Sequence, residues 1–262
     1  MTDRTRLGAL VAAAALGALL TGAAPALAQR FGPQPPPPGP PRESAPIDLT
    51  GQWVAVVNED WRWRMVTPPK GDYASVPLNP EGRRVADTWE PSRDGACEAY
   101  GAAALLRMPT RVRIEWQDED TLRLQTDAGA QTRLLEFTPP EDERPRSLQG
   151  TSVAEWIRPA PPPGGPGLAG AGGGASSGGG HLAVTTTDLL PGWLRRNGVP
   201  YSQDAVVTEY FDRFAAPNGD EWLMVTTIVD DPAYLNTRYV TSSHFKREDD
   251  DSKWNPVPCR AR

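Results

Sequence analysis

Alternation of apolar and polar residues is the feature that most restricts how this chain can fold. In residues 111–117, Val112, Ile114 and Trp116 alternate with charged residues, and residues 121–126 repeat the pattern after an acidic turn. A period of two residues is typical of β-strands with one buried face, because successive side chains point to opposite faces. The short turns between these segments predict antiparallel hairpins.

Hairpins of this kind recur along the chain, and Asn218-Gly219 predicts a type I′ turn between two of the later strands. The further strand segments are residues 51–57, 131–137, 152–157, 182–187, 205–214, 221–230 and 239–247. The sequence therefore predicts an all-β fold, an antiparallel up-and-down meander of about eight to ten strands. Closure into a barrel would leave no exposed sheet edge, and a two-sheet β-sandwich is the alternative.

One short helix interrupts the strand pattern near residues 79–89. Asn79 suits the N-cap, and the proline that follows it suits the first helical position. Val85, Ala86 and Trp89 then form a short apolar stripe at helical spacing. We expect a helix of about two or three turns.

The first 28 residues resemble a secretory signal peptide. Arg4 and Arg6 precede an uncharged apolar run, and Ala26-Leu27-Ala28 fits a cleavage site before Gln29. A membrane anchor is the alternative, although the run is short and rich in Ala and Gly. We expect a periplasmic or secreted protein with no transmembrane segment in the mature chain.

Cys97 and Cys259 are the only cysteines in the sequence. An oxidising compartment favours a disulfide between them, which would join the C-terminal tail to the middle of the fold. Two free thiols or a metal-binding pair are the alternatives.

Two tracts rich in Pro and Gly divide the chain. Residues 29–46 contain four consecutive prolines, and we expect a disordered, extended lead. Residues 159–180 lie between two predicted strands and are interpreted as a hairpin insertion, with an interdomain linker as the alternative. The remaining residues, 47–262, are predicted to form a single β-domain.

Composition excludes several classes of function. The net charge of −6 argues against a nucleic-acid partner, because phosphate contacts need a basic surface. The chain has two Cys and two His and no nucleotide-binding glycine motif, so no metal site or cofactor is predicted. The triplet Asp249–Asp251 lacks the ligand spacing of a calcium loop and is expected to be a solvated tail.

The segment from residue 58 to residue 73 is the strongest candidate for a ligand site. In an extended chain its two tryptophans would share one face and its two arginines the other, giving aromatic walls and guanidinium groups that pair with a carboxylate or phosphate. A core strand with buried tryptophans is the alternative. The candidate ligand-binding residues are Trp61, Arg62, Trp63, Arg64, Lys70 and Tyr73.

A second candidate is the loop at residues 189–201, marked by Pro and Gly residues. Its aromatic and basic side chains predict a lid over the barrel or a partner-docking surface, unless the loop simply packs on the barrel wall. The residues concerned are Trp193, Arg195, Arg196 and Tyr201.

Titratable side chains on the predicted strands provide weaker candidates. His244, opposite Phe245 on the last strand, would be a general base if it pointed inward. Glu209, Glu221, Glu115 and Glu155 also lie on strands, and an inward pair of carboxylates would permit acid–base chemistry. Solvent-facing positions are the alternative for all of them.

Gly51-Gln52-Trp53 at the head of the first strand resembles the Gly-x-Trp opening of the lipocalins, in which the Trp closes the barrel floor. The order of several segments, from Pro77-Leu78-Asn79-Pro80 through Gly150-Thr151-Ser152 to Glu209-Tyr210-Phe211, is similar to a broad group of uncharacterised secreted bacterial proteins. The lipocalin resemblance implies a barrel that binds small apolar ligands at its mouth. The second resemblance implies architecture and compartment only.

These features favour an exported barrel that binds a small, partly apolar, anionic ligand. An interaction module of a cell-envelope assembly and a barrel enzyme that uses an acid/base side chain are the alternatives.

Overall fold

The computed structural model describes residues 39–93, 97–158 and 179–259. The predicted signal peptide, most of the predicted lead and most of the predicted insertion lie outside these residues.

Strands dominate the described part of the chain. They are β1 (Gly51–Val56), β2 (Arg111–Trp116), β3 (Thr121–Thr126), β4 (Ala128–Gly129), β5 (Thr132–Glu136), β6 (Thr151–Ile157), β7 (His181–Thr187), β8 (Gly192–Arg195), β9 (Val199–Tyr201), β10 (Val206–Ala215), β11 (Glu221–Asp230), β12 (Tyr239–Glu248) and β13 (Val257–Pro258). The α-helices are α1 (Trp61–Arg64), α2 (Pro80–Asp87) and α3 (Ala102–Leu105), and short 3₁₀ turns occupy Pro91–Arg93 and Glu98–Tyr100.

Nine strands close into a barrel in the order β1-β12-β11-β10-β7-β6-β5-β3-β2. Every barrel strand lies beside its neighbours in the sequence, which confirms the predicted all-β meander. The number of strands is odd, so a closed ring cannot be antiparallel throughout. The one parallel junction is β5–β6, where only Leu135↔Ser152 and Glu136↔Val153 pair.

The two ends of the barrel are built differently. Three long connections and one short turn lie at the end where β1 finishes and β2 begins, and we call this end the cap; the connections are residues 57–110, 188–205 and 231–238, and the turn is residues 127–131. A buried apolar cluster joins them to the barrel, because cap residues such as Tyr73 and Tyr201 pack with Val207 and Tyr239. The cap therefore closes this end of the barrel.

The barrel interior is filled by its own side chains. A second apolar cluster occupies the end remote from the cap and includes Trp53, Phe211 and Phe245, each with no exposed surface. The indole of Trp53 donates to the carbonyl of Leu49, 3.0 Å away, which anchors the ring at this end of the barrel. Arg247 lies over its ring at 5.5 Å.

A polar layer separates the two clusters. On β10, Val207 belongs to the cap cluster, Glu209 follows inward, and Phe211 belongs to the remote cluster. Glu209 pairs with Arg133 across the interior at 2.7 Å, and neither side chain has any exposed surface.

The helix near residues 79–89 is confirmed as α2, Pro80–Asp87. The Asn79 side chain accepts a hydrogen bond from the amide of Gly82 at 2.8 Å, as an N-cap does. The same side chain donates to the carbonyl of Ala233 at 3.0 Å, which ties the helix to the β11–β12 connection.

The predicted type I′ turn after β10 is wrong. Gly219 has a φ of 87° whereas Asn218 does not have a positive φ, and a type I′ turn needs both. The Gly219 amide donates to the carbonyl of Ala216 at 2.9 Å, which makes a type I turn with Gly in the left-handed position that follows. Pro217 explains why a type I rather than a type I′ turn forms, because its fixed φ suits the first central residue of a type I turn.

The Cys97–Cys259 disulfide is present. After β12 the tail returns to the cap, where β13 pairs in parallel with β4 and the Val257 amide donates to the carbonyl of Asp127 at 2.8 Å. The bond therefore joins the tail to the cap.

The described flanks of the two tracts contact the barrel. In the predicted lead, the Pro41 carbonyl accepts a hydrogen bond from the indole of Trp156 at 2.9 Å, so its last residues lie against the barrel rather than extending from it. On either side of the predicted insertion, β6 and β7 pair antiparallel from Thr151↔Thr187 to Ile157↔His181. Within the described residues, no helix has the length and apolar character needed to cross a membrane.

Candidate functional site

The first candidate segment is not an extended ribbon. Residues 61–64 form the single turn of α1, preceded by Asp60 in the left-handed conformation with a φ of 52°. A helical turn places alternate residues on opposite sides, so the two tryptophans do not share a face. Trp61 is 65% exposed, whereas Arg64 is only 4% exposed.

The remaining side chains of this segment separate into individual contacts. Arg62 pairs with Asp72 at 2.6 Å, and Lys70 pairs with Glu90 at 2.9 Å, both at exposed positions. Tyr73 is buried in the cap. These residues do not gather around one ligand position.

The second candidate segment is an ordered hairpin rather than an open loop. Strands β8 and β9 pair antiparallel, and Tyr201 at their base is fully buried. Arg195 is 5% exposed and donates to the carbonyl of Ala74 at 2.7 Å. The structure therefore supports the alternative in which this segment packs on the barrel, with the hairpin forming part of the cap.

The two candidate segments meet in one cavity of the cap, which we call the arginine pocket. Its cavity volume is about 20 Å³, room for one water-sized group, and it opens to the surface. Its walls are Trp63, Arg64, Ala104, Arg107, Met108, Leu194, Arg195 and Arg196. Four guanidinium groups and an indole thus surround a space that a single oxyanion group could enter.

Acidic side chains balance two of these arginines. Glu59 pairs with Arg64 at 2.8 Å, and Asp60 pairs with Arg107 at 2.7 Å. Arg195 donates to a carbonyl oxygen instead, and Arg196 donates to the carbonyl of Arg64 at 2.8 Å. Carboxylates just outside the wall therefore compensate Arg64 and Arg107, whereas the hydrogen bond of Arg195 is made to a neutral carbonyl oxygen.

Buried N–H groups remain unused at this pocket. Nη2 of Arg64, together with Nε and Nη2 of Arg195, has no hydrogen-bond partner among the described residues. Leaving such donors buried and unpaired costs about 1–3 kcal/mol each, and more for charged groups. An anion that accepted these hydrogen bonds would remove that cost.

The indole of Trp63 orients part of this array. Arg62 and Arg195 both lie over its ring, 4.5 and 4.8 Å from the centroid. Cation–π contacts hold a guanidinium in place while leaving its N–H groups at the edge for other acceptors.

Burial acts on the charge of Arg64. Desolvation, followed by the neighbouring charge of Arg107, lowers the pKa of Arg64, while Glu59 and Asp60 oppose this effect. Burial rather than neighbouring charge is thus the main influence on this pKa, and a bound anion would favour the charged form of Arg64.

His244 contacts the edge of this network from outside the barrel. It lies on the face of β12 opposite the buried Phe245, and its Nδ1 is 3.2 Å from Oε2 of Glu59. His244 therefore does not point inward, and the alternative of a hydrogen-bonded or solvent-facing histidine describes it. Of the strand carboxylates, Glu209 does point inward, but its fully buried pairing with Arg133 leaves it no reach to a substrate.

Sequence reasoning missed the pocket residues that lie outside the two candidate segments: Ala104, Arg107 and Met108. They follow the disulfide-linked Cys97 in a segment whose alanines and leucines indicate packing. Arg107, the basic residue in that segment, was the sequence signal that could have indicated a contribution to the pocket. Its proximity to Arg64 depends on tertiary contacts, since Arg64 Nε donates to the carbonyl of Arg107 at 2.8 Å.

Comparison with models of protein families, with curated protein sequences and with solved structures gave no match. The resemblance to lipocalins and to secreted bacterial proteins therefore remains a prediction. Lipocalin barrels have about eight strands, and this barrel differs by its ninth strand and its parallel junction.

Proposed function

We propose that this protein is exported and binds a small ligand through an anionic group, a carboxylate or a phosphate, in the arginine pocket of the cap. One observation carries the proposal: the guanidinium groups of Arg64 and Arg195 are buried beside a cavity and retain unpaired N–H donors. Planar donor pairs of this type match the oxygen pairs of carboxylate and phosphate.

The position of the pocket changes the expected binding mode. The apolar cluster around Phe211 and the Arg133–Glu209 layer occupy the middle of the barrel, and the arginine pocket lies outside that interior. The volume of the arginine pocket suits the anionic end of a ligand. Trp63, Met108 and Leu194 supply apolar contacts for the part next to that group.

Export is supported by the disulfide. Structural disulfides persist in oxidising compartments and are rare in the reducing cytosol. The Cys97–Cys259 bond connects two distant parts of the chain, as expected of a structural rather than a catalytic pair. A periplasmic or secreted location is therefore part of the proposal.

Isothermal titration of the oxidised protein with inorganic phosphate, and separately with acetate, tests the anion site and distinguishes the two chemistries. We expect Arg195→Gln to raise the Kd of the preferred anion about tenfold or more, because a hydrogen bond to a charged group contributes about 1.5–3 kcal/mol. Arg123→Gln is the matched control, since Arg123 pairs with Glu115 on the outer barrel wall.

Arg195→Lys separates loss of binding from loss of folding. It keeps the charge and removes the planar donor pair, so we expect weakened binding with an unchanged circular dichroism spectrum. Equal affinity of the wild type, Arg195→Gln and Arg123→Gln for both anions would show that the pocket is not the binding site.

The interaction-module hypothesis is the second candidate. It is favoured by Trp61, whose large side chain is 65% exposed at the rim of the cap. Under that hypothesis Trp61→Ser abolishes capture of an envelope protein while leaving anion titrations unchanged.

A further inference from the structure

A second cavity lies on the other side of the β8–β9 hairpin. Leu194 and Arg195 of the hairpin face the arginine pocket, whereas Trp193 and Tyr201 line this second cavity. Its volume is about 180 Å³, below the roughly 300–1,000 Å³ of sites for drug-sized ligands. The lining residues are Val85, Glu98, Pro191, Gly192, Trp193, Pro200, Tyr201 and Tyr234.

The charge of this cavity is opposite to that of the arginine pocket. Glu98 is the one ionic side chain among the lining residues, and no Lys or Arg accompanies it. Oε2 of Glu98 accepts a hydrogen bond from the indole of Trp193 at 3.0 Å, which holds the carboxylate beside the aromatic wall. Glu98 also directly follows the disulfide-bonded Cys97, so its backbone is tied to the tail.

A buried hydroxyl beside the cavity provides a second, independent observation. Tyr201 has no exposed surface, and its hydroxyl has no hydrogen-bond partner among the described residues. The backbone approaches it closely, since a Cβ placed on Gly192 would lie 2.6 Å from the hydroxyl oxygen. Burial, and then the charge of Glu98, raise the pKa of Tyr201, so the hydroxyl stays protonated and can both donate and accept.

A carboxylate within an aromatic wall is the arrangement that recognises organic cations. The π-systems of Trp and Tyr attract an ammonium group, and the attraction grows when the site is desolvated. A carboxylate adds direct charge pairing, and the apolar rings and prolines contact the alkyl substituents. A metal ion would lack oxygen ligands here, because one carboxylate and one phenol do not complete its coordination.

We propose that this cavity, formed by Glu98, Trp193, Tyr201 and Tyr234, binds a small alkylammonium group. The site is separate from the arginine pocket and shares with it only the β8–β9 hairpin. Small quaternary or tertiary amines match both its volume and its single negative charge.

Choline and its uncharged isostere 3,3-dimethyl-1-butanol test the proposal by isothermal titration and tryptophan fluorescence. The two probes have nearly the same shape and differ in charge. We expect choline to bind about tenfold or more tightly than the alcohol, since only choline makes cation–π contacts and pairs with the charge of Glu98. Equal affinities, or no choline binding, would overturn the proposal.

Glu98→Gln is the decisive variant. Its amide oxygen still accepts the Trp193 hydrogen bond while the charge is lost, so we expect the Kd of choline to rise about fivefold or more. Glu119→Gln is the matched control, because Glu119 is exposed at the opposite end of the barrel and pairs with Arg42. Unchanged choline binding in Glu98→Gln would refute the assignment.

Tyr201→Phe provides a second variant that keeps the ring. We expect weaker choline binding without loss of fold, since the hydroxyl makes no hydrogen bond in the free protein. Phosphate titration of the same samples distinguishes the two sites: a failure of choline binding with intact phosphate binding rejects this inference alone.

Discussion

At the scale of single residues, the Arg133–Glu209 pair has the clearest energetic consequence. Two charges with no exposed surface are tolerated in the barrel because each neutralises the other. Nη2 of Arg133 also donates to the hydroxyl of Thr186 at 3.1 Å. The sequence could not predict this pair, because 76 residues separate its members and each lies on a strand that looks half-exposed.

We predict that Glu209→Gln lowers the free energy of unfolding by about 3–5 kcal/mol, since it leaves the Arg133 charge buried and uncompensated. Urea denaturation provides the measurement. The double variant Arg133→Met/Glu209→Leu should be more stable than Glu209→Gln, because both charges are gone. A double variant less stable than the single one would contradict this account of the polar layer.

Tyr73 predicts a dependence of stability on alkaline pH. Burial, and then its hydrogen bond to Asp87, raise the pKa of Tyr73 to about 12 in the folded state, above the ordinary value of 10.0. The folded protein therefore holds this proton more tightly than the unfolded chain. Its contribution to stability is complete below pH 10 and is lost as the pH rises toward 12. In urea denaturation between these pH values, Tyr73→Phe should show a shallower loss of stability than the wild type.

At the scale of secondary-structure elements, local side-chain chemistry determines where helices begin and how turns form. Asn79 was predicted as an N-cap because its side chain competes for the first free amides, and it does so. Helix α1 was not predicted, because four residues are too few to distinguish a helical period from an alternating one. The tight contacts of Arg64 and Trp63 depend on partners far away in the sequence.

Removing the cap of α2 should have a moderate cost. We predict that Asn79→Ala lowers the free energy of unfolding by about 1–2 kcal/mol, through loss of the Gly82 cap and of the bond to the Ala233 carbonyl. Asn79→Ser should recover part of this loss, because a hydroxyl still caps the helix. Thermal unfolding followed by circular dichroism measures both. Equal stability of all three proteins would contradict the capping role.

Substitution of Gly219 measures the free-energy cost of a left-handed backbone conformation. A Cβ at this position would contact nothing within 4 Å, so sterics with neighbours play no part. We predict that Gly219→Ala destabilises the protein by about 1–2 kcal/mol, because φ stays positive. Gly219→Asn should be less costly, since Asn tolerates this region better. A stability of the Ala variant equal to the wild type in urea would show that the turn has rearranged.

At the scale of the whole molecule, the disulfide joins parts that the barrel alone does not hold together. Reduction, or the variant Cys97→Ser/Cys259→Ser, should lower the free energy of unfolding by about 2–5 kcal/mol. Hydrogen exchange should quicken first at the Val257 amide, whose bond to Asp127 depends on the tail staying in place. Unchanged protection at Val257 after reduction would mean that β13 is held without the disulfide.

The fold was predictable to a large extent, and the site only in part. Alternation identified the strands because each barrel strand buries one face in a core. The order of the strands was predictable because each strand lies beside its neighbour in the sequence. The parallel junction was not predictable, since it follows from the number of strands in the closed ring. For the arginine pocket, Trp63, Arg64, Arg195 and Arg196 came from sequence, whereas their convergence with Arg107 required the folded cap.

The placement of the β6–β7 connection has a practical consequence. Strand β6 ends at Ile157 and strand β7 begins at His181, both remote from the cap, whereas both pockets lie within the cap. A peptide tag or fluorescent reporter spliced between Arg158 and Gly179 would tether the barrel to a bead or electrode with its pockets turned toward the sample. The β6–β7 connection is thus a suitable point for attaching the protein to a surface, for example in a biosensor.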